Sequence, residues 1–162
     1  FFASRAVLIF SPNFSVIVLP PYEFIDQQKE CIDMLFSAGT SHTKVTLQLI
    51  PCGLDWQAIL CGGDRPHIGA VVLAVPRPSL KDALVLSCDC WVNPVTAHKD
   101  HLVAQPLAET LCIACGHTVS VSAGLHIDHI SPDDLRQLRK HCAQVTAEAE
   151  SYLKKQPASQ PR

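Results

Sequence analysis

The sequence predicts an α+β fold, in which a mostly antiparallel sheet of about five or six strands is covered on one face by two helices. Two hydrophobic patterns support this prediction. Apolar and polar residues alternate over short segments such as 45–49 and 118–123, which is the period of a half-buried strand. In segments 98–115 and 135–152, apolar residues recur every three or four positions, which is the period of an amphipathic helix.

The first half of the chain has the pattern of strands separated by turn residues. Pro51, Gly53 and Asp55 interrupt the first strand, and the apolar pattern resumes at Trp56, so we expect these two strands to form an antiparallel hairpin. Because proline cannot donate to a strand ladder, Pro76 is expected to end the third strand. The first four predicted strands cover residues 45–49, 56–61, 68–75 and 83–92.

The first predicted helix covers residues 98–115 and contains a proline. Pro106 lacks an N–H, so it must either occupy the first position of a helix or kink one. Gly116 is typical of a helix C-terminus. A fifth strand is predicted over 118–123, and Gly124 after it indicates a bulge or the close approach of another segment.

The second predicted helix has a complete start signal. Ser131 is a preferred N-cap, Pro132 suits the first helical position, and Asp133 and Asp134 place negative charge at the positive end of the helix. An apolar stripe predicts that this helix packs on the sheet. The stripe consists of Leu135, Leu138, Cys142, Val145, Ala149 and Tyr152.

Composition limits the possible classes of protein. The chain has 162 residues, 48% of them hydrophobic and 17% charged, which is sufficient for one globular domain with a sizeable core and excludes a disordered tail. The formal net charge is −2, and the sequence has no dense Lys/Arg stripe of the kind that grips a phosphate backbone. We therefore expect no nucleic-acid partner, and small molecules and proteins remain open.

The domain boundaries are predicted from the N-terminal composition and the position of methionine. Residues 1–20 are apolar but are interrupted at residues 11–13, so neither part reaches the roughly 20 residues of a membrane span. Met34 is the only methionine and precedes a small and polar lead-in to the first predicted strand. We interpret residues 1–33 as an extension outside the native domain, residues 34–152 as a single domain, and residues 153–162 as a flexible tail.

The eight cysteines are interpreted as free thiols. Four of them lie within apolar runs, where free cysteine behaves as a small buried hydrophobe. These four are Cys61, Cys88, Cys90 and Cys112. Cys112 and Cys115 have the C-x-x-C spacing, but they lie at the predicted C-terminal end of a helix, whereas thiolate activation uses the N-terminal end. The sequence thus favours a reducing compartment, the cytoplasm.

Three segments concentrate glycine, histidine and aspartate at predicted strand ends: 62–69, 98–101 and 124–129. Paired glycines such as Gly62 and Gly63 allow close approach of a ligand and can direct N–H groups at an anion such as phosphate. Asp64 and His67 add polar contacts at the rim. The alternative is a tight turn in which Asp64 bonds its own backbone.

The pattern His-x-Asp-His occurs at 98–101 and again at 126–129. His98 and His101 would share a face of a helix, and His126 and Asp128 would share a face of a strand. Either pair could ligate a metal or place a carboxylate against an imidazole. A metal-dependent enzyme that uses His67, His98, His126 and Asp128 is therefore an alternative, and an acid–base role for a histidine is another.

Four segments in order resemble the LpdD-like prenylated flavin chaperone family. They are the ten-residue run GGDRPHIGAV at 62–71, PRPSLKD at 76–82, HKD at 98–100 and AGLHID at 123–128. The likeness extends from about Met34 to Ala149, and residues 1–33 have no counterpart. This family includes the small accessory subunit encoded with gallate-type, UbiD-like decarboxylases.

The resemblance implies a non-catalytic accessory protein that binds prenylated FMN or FMN transiently. Such a protein would supply the cofactor to a UbiD-like aromatic acid decarboxylase, with a flavin prenyltransferase as a second partner. A purely structural decarboxylase subunit is a further alternative, and self-association of the chain remains open. The candidate cofactor-binding residues are Gly62, Gly63, Asp64, Pro66, His67, His98, Lys99, Asp100, His126 and Asp128.

Overall fold

The structure, a computed structural model, describes residues 33–156. They form a six-stranded, mostly antiparallel sheet with two α-helices, so the α+β prediction is confirmed. The strands are β1 (Met34–Ala38), β2 (Val45–Cys52), β3 (Asp55–Gly63), β4 (Ala70–Pro78), β5 (Leu86–Pro94) and β6 (Val119–His126). The helices are α1 (His101–Cys115) and α2 (Pro132–Lys154), and a short 3₁₀ turn covers Ser41–Thr43.

The order of the strands in the sheet is β1-β2-β3-β6-β4-β5. The central pair β3–β6 is parallel, and every other pair is antiparallel. The predicted hairpin of β2 and β3 is confirmed. Because β3, β5 and β6 run in one direction, their last residues lie at the same edge of the sheet, where β4 begins. We call this the C-terminal edge, and the register pairs Gly63 with His126 there.

The core lies between the sheet and the two helices. Alternate residues of the strands are buried, as the period-two pattern predicts, and Val45, Leu47 and Leu49 of β2 are completely inaccessible to solvent. On the helices, Leu111 and Val145 are equally buried. Burying a side chain of this size contributes about 1.5–3 kcal/mol, so the sheet and the helices stabilise each other.

Strand β1 is an element that the sequence pattern did not predict. Its five residues were expected to be a polar lead-in, but they pair with β2 as an edge strand. The strand is short and carries a polar serine, so its alternation is weak. Phe36 nevertheless faces the core side, where its ring packs edge-on against Tyr152 of α2 at a centroid distance of 6.1 Å.

The prediction that Pro76 ends the third strand was wrong. Strand β4 continues through Pro78, where the prolines pair with β5 alone. The pairing of β4 with β6 stops at Ala74, so no neighbouring strand on that side requires a donor from the prolines. Ile68, the predicted start of this strand, is instead 61% exposed in the preceding loop.

The first predicted helix begins three residues too early. Helix α1 starts at His101, with Asp100 at the N-cap, so His98 lies outside the helix. Pro106 takes the interior position rather than the first one. Gly116 ends the helix in the left-handed conformation, with φ of 71°, so the predicted stop is confirmed.

The predicted start of the second helix is confirmed. The Ser131 hydroxyl accepts a hydrogen bond from the Asp134 N–H at 3.1 Å, and the Asp134 carboxylate accepts one from the Ser131 N–H at 3.1 Å. The apolar stripe differs from the prediction at both ends of the helix, because Leu135 near the start is 38% exposed and Leu153 near the end is buried. The helix therefore continues beyond the predicted boundary at 152. The predicted extension, apart from Asp33, and residues 157–162 of the predicted tail lie outside the described residues.

Candidate functional site

The C-terminal edge brings together the three polar segments that the sequence singles out. The loop between β3 and β4, the segment before α1, and the turn after β6 all lie there. The imidazole ring of His67 is 4.7 Å from that of His98 and 6.1 Å from that of His126, measured between centroids. We call these three residues the histidine cluster. The structure thus brings together histidines from distant parts of the sequence, and their role in cofactor binding stays a prediction.

The loop that carries His67 is fastened to β6 by backbone hydrogen bonds. The N–H of Asp64 donates to the carbonyl of His126 at 2.6 Å, and the N–H of Gly69 donates to the carbonyl of Ala123 at 2.8 Å. A Cβ atom at Gly124 would lie 1.8 Å from the carbonyl oxygen of His67. The predicted close approach at Gly124 is confirmed, because no larger residue leaves room for this loop.

The glycine pair does not form an open cradle for an anion. The N–H of Gly63 donates to the carbonyl of Lys44 at 3.3 Å, and the N–H groups of Asp64 and Arg65 both donate to the carbonyl of His126. The hypothesis that these donors face a phosphate was therefore wrong. The alternative for Asp64 was also wrong, because its Oδ2 accepts from the N–H of Asp128 at 3.0 Å rather than from its own turn.

Asp100 connects the three segments from within. Its side chain is almost fully buried, and Oδ1 accepts a hydrogen bond from the N–H of Leu125 at 2.8 Å. Oδ2 lies 3.6 Å from Nε2 of His67. The carboxylate occupies the space that a side chain at Gly69 would need, since a Cβ there would lie 2.0 Å from Oδ2. Asp100 therefore serves the site rather than capping α1, whose N–H groups its side chain does not bond.

The hydrogen bonds of His67 leave one ring nitrogen available. Nδ1 lies 3.1 Å from the carbonyl of Arg65, and because a carbonyl only accepts, Nδ1 carries the proton. Nε2 is buried, and it has no hydrogen-bond partner among residues 33–156. A neutral ring would thus point a lone pair at the Asp100 carboxylate. A hydrogen-bond donor from outside the described residues would satisfy Nε2.

Arg65 is a site residue that the sequence reasoning missed. Its guanidinium contacts the Asp128 carboxylate, and Nη2 is 2.9 Å from Nε2 of His126. Asp128 Oδ1 also lies 3.0 Å from that imidazole nitrogen. Hydrogen bonds from His126 and then from Arg65 hold the pKa of Asp128 below its ordinary value. The signal in the sequence was the position of Arg65 as the one cation in the 62–71 run.

Three further candidate residues make no contact with the histidine cluster that the structure records. Pro66 is exposed in the loop, and Lys99 is exposed at the start of the groove between the helices. Gly62 lies within β3, where a Cβ would approach the carbonyl of Lys44 to 2.6 Å. This glycine permits close packing of the sheet. His98 does join the cluster, and its Nδ1 is 3.0 Å from the carbonyl of Thr96.

The metal alternative has no site in the part of the chain that the structure describes. No group of three or more histidine, cysteine, aspartate or glutamate side chains between residues 33 and 156 is arranged to hold a metal ion. The shared helix face proposed for His98 and His101 was wrong, because α1 begins only at His101.

The cysteines between residues 33 and 156 are all free, as predicted. Burial raises the pKa of both Cys112 and Cys142 to about 12, so neither thiol ionises near neutral pH. Cys115 ends α1, as expected for the C-x-x-C pair, and burial raises its pKa as well. We see no activated thiolate among these three residues.

Comparison with known proteins places this geometry in a family. The model of the prenylated flavin chaperone LpdD-like domain matches residues 39–154, which include the histidine cluster, Arg65 and Asp100. The chain belongs to the prenylated flavin chaperone LpdD-like family. The resemblance drawn from the sequence motifs is therefore confirmed, and the matched range of the LpdD-like domain ends at the last residue of α2.

Two other comparisons, with solved structures and with curated proteins, add little to the family assignment. A solved structure described as a novel chaperone complex for yeast 20S proteasome assembly is 11% identical to this LpdD-like chain, with a TM-score of 0.42. The match covers 73% of this chain and 98% of the other. The search of curated proteins found no match. Within residues 33–156, the LpdD-like chain has no helix long and apolar enough to cross a membrane.

Proposed function

We propose that the protein binds prenylated FMN, or FMN, at the C-terminal edge of the sheet and supplies it to a UbiD-like aromatic acid decarboxylase in the cytoplasm. The observation that best supports this is the convergence of His67, His98 and His126 with Arg65 and Asp100 in one place. Family membership supports the class of cofactor. In this proposal the protein is a carrier, so it holds the cofactor and performs no reaction on it.

Side chains rather than backbone amides are the groups that would hold the phosphate. The N–H groups of the glycine turn are already bonded within the chain, whereas the Arg65 side chain is 67% exposed. A guanidinium presents two parallel donors to a phosphate. In this proposal Arg65 exchanges its contact with Asp128 for one with the phosphate, and Lys99 adds a second positive charge at the neighbouring segment.

The polar edge of the flavin ring fits the unpaired atoms of the site. Nε2 of His67 is buried and lacks a hydrogen-bond partner among the described residues. Nδ1 of His101 is also buried and lacks one. Unpaired polar atoms in a folded protein commonly mark a place where a ligand or water completes the hydrogen bonding. In this proposal an imide N–H of a flavin is the donor that would satisfy Nε2 of His67.

Docking to a partner enzyme is supported by the tip of the β4–β5 hairpin, residues 79–85. Leu80 and Leu84 are 91% and 96% exposed. The tip is well ordered by its own hydrogen bonds, with the Ser79 N–H donating to the Val85 carbonyl at 2.8 Å and the Leu84 N–H donating to Asp82 Oδ1 at 2.9 Å. A preorganised loop with apolar side chains fits a pocket of a protein partner, because little entropy is lost on binding.

Binding is tested by titration of the purified protein with FMN and with prenylated FMN, followed by flavin absorbance and by thermal unfolding. We expect saturable binding that His67→Ala weakens at least about tenfold, because the variant removes the central ring of the cluster. His117→Ala is the matched control, since it precedes β6 and lies at the opposite edge of the sheet. If neither FMN nor prenylated FMN binds, the proposal is refuted.

Delivery is tested by reconstituting an apo-decarboxylase with limiting prenylated FMN, with and without the protein. We expect faster or more complete activation when the protein is present, and no gain with His67→Ala. A Leu80→Glu/Leu84→Glu variant should retain flavin binding and lose the gain, because only docking is affected. If this hairpin variant delivers the cofactor as well as the wild type does, the proposed docking surface is wrong.

A further inference from the structure

A groove runs between the two helices on the covered side of the sheet. It consists of two adjoining cavities of about 380 and 350 Å³. The first extends from Asp100 and Leu125 to the N-terminal half of α2, and the second continues along the helix pair to Glu150. The two share Leu102, Val103, Arg139 and Cys142 in their walls. A volume of this size is within the range of small-molecule sites.

The cavity between Asp100 and the first half of α2 has a largely apolar wall that is partly exposed to solvent. Leu102 of α1 is 59% exposed, Ile130 in the connection to α2 is 42% exposed, and Leu135 of α2 is 38% exposed. These three side chains line the same cavity. Single exposed apolar residues need no explanation, but several gathered in one concave surface are typical of a binding site.

Two cations in the groove have no acidic partner. Lys99 lies at its start and Arg139 at the junction of the two cavities, and within residues 33–156 neither has a carboxylate within 4 Å. The acidic side chains that line the groove are engaged elsewhere. Asp100 bonds Leu125 and faces His67, and Glu150 forms an ion pair with Lys154 at 2.6 Å.

From this combination of an apolar wall and unpaired positive charge, we infer that the α1–α2 groove binds an amphiphilic anion. Its ligand has an apolar chain or ring that lies against Leu102, Ile130 and Leu135, and one carboxylate or phosphate that Arg139 and Lys99 hold. A neutral apolar ligand would leave both cations without a partner, and a free inorganic anion would leave the apolar wall in contact with water. Lys99 is shared with the proposed flavin site, whereas Arg139 and the apolar wall belong to the groove alone, so the inference does not rest on the flavin proposal.

The test measures binding of decanoate and decyl phosphate below their micellar concentrations by calorimetry, with decanol and inorganic phosphate as the uncharged and headgroup-only probes. Arg139→Gln is the first variant, because this exposed residue contributes to the groove and not to the histidine cluster. Its matched control is Arg136→Gln, which lies one turn earlier on α2 and pairs with Asp133 instead. A second variant, Leu135→Asp, places a carboxylate in the apolar wall of the cavity from a position that is already 38% exposed.

We expect the two anions to bind at least about tenfold more tightly than decanol or phosphate. Arg139→Gln should weaken them about five- to tenfold, Arg136→Gln should have no effect, and Leu135→Asp should abolish binding. A stronger effect for one anion identifies the preferred headgroup within the class. The inference is overturned if decanol binds as tightly as decanoate, if the two arginine variants behave alike, or if Leu135→Asp binds the anions normally. FMN titration of the same variants separates this result from the flavin proposal.

Discussion

The carboxylate of Asp100 lies between His67, whose Nε2 is 3.6 Å away, and the backbone of Leu125, whose N–H donates to it at 2.8 Å. Its burial makes the hydrogen bond from Leu125 important for stability, since an unpaired buried polar group costs about 1–3 kcal/mol. The structure thus uses one acidic side chain to join α1, β6 and the His67 loop.

Replacing Asp100 should separate these contributions. Asp100→Ala leaves the N–H of Leu125 without an acceptor, and we expect a loss of about 1–3 kcal/mol in the free energy of unfolding. Asp100→Asn keeps the acceptor oxygen and offers an amide donor to His67, so its loss should be smaller. Urea unfolding measures both, and equal losses for the two variants would contradict the assignment.

Gly124→Ala should displace the His67 loop from the sheet. The added Cβ would meet the carbonyl of His67, and we expect a loss of about 1–3 kcal/mol in the free energy of unfolding from overpacking. The imidazole NMR signals of His67 and His98 should shift. Gly53→Ala is the control, because a Cβ there meets nothing within 4 Å, although its φ of 69° makes it strained. Its histidine signals should remain those of the wild type.

The ion pair of Arg65 should affect the titration of Asp128 more than the stability of the fold. Both side chains are well exposed, so we expect Arg65→Ala to change the free energy of unfolding little. It should raise the pKa of Asp128 toward its ordinary value, and His126→Ala should raise it further, because the bond from His126 lowers this pKa most. Carboxyl NMR titration measures the shift.

The sign of the pH dependence follows from the lowered pKa. Ionised Asp128 stabilises the fold above the unfolded pKa of about 3.9, and this stability is lost as the pH falls through its folded pKa. When the pH is lowered below about 4, the free energy of unfolding should therefore fall less for Arg65→Ala than for the wild type. If the free energy of unfolding falls identically in the two proteins below about pH 4, the ion pair has no energetic role.

The N-cap of helix α2 contributes a stabilisation that also depends on pH. Ser131→Ala removes the acceptor for the Asp134 N–H and should cost about 1 kcal/mol at neutral pH. Hydrogen bonds from Ser131 and then from His42 lower the pKa of Asp134 to about 2, so its stabilisation is present above about pH 4 and lost toward pH 2. The difference in the free energy of unfolding between the wild type and Ser131→Ala should therefore be smaller at pH 2 than at pH 7. Circular dichroism during urea unfolding at pH 7 and pH 2 checks this.

The free thiols should differ in reactivity according to burial. Cys52 is exposed at the end of β2, so iodoacetamide should modify it first in the native protein. Cys112 and Cys142 should resist, because they are buried and their pKa values are raised to about 12. Mass spectrometry of timed digests gives the order. Early modification of Cys112 would contradict the packing of α1 on the sheet.

Local sequence predicted the elements whose signals are local. The β2–β3 hairpin needed only alternation and a turn, the start of α2 needed only Ser131 and its neighbours, and the end of α1 needed only Gly116. Strand β1 was not predicted, because it is short and its alternation is weak. The continuation of β4 through Pro78 was not predicted, because it depends on the absence of β6 beside the prolines. The site has the same limit. Arg65 could not be predicted as a site residue, because only the tertiary structure shows that it contacts Asp128.

The sequence by itself determined the fold class, the family motifs and the presence of three polar segments, since hydrophobic period and capping chemistry are written within a few residues. Only the tertiary structure decided that these segments meet, because the parallel pairing of β3 with β6 joins residues more than 60 positions apart. It also decided the roles within the site. Backbone carbonyls already take the N–H groups of the glycine turn, so the proposed flavin site depends on the charged and imidazole side chains instead.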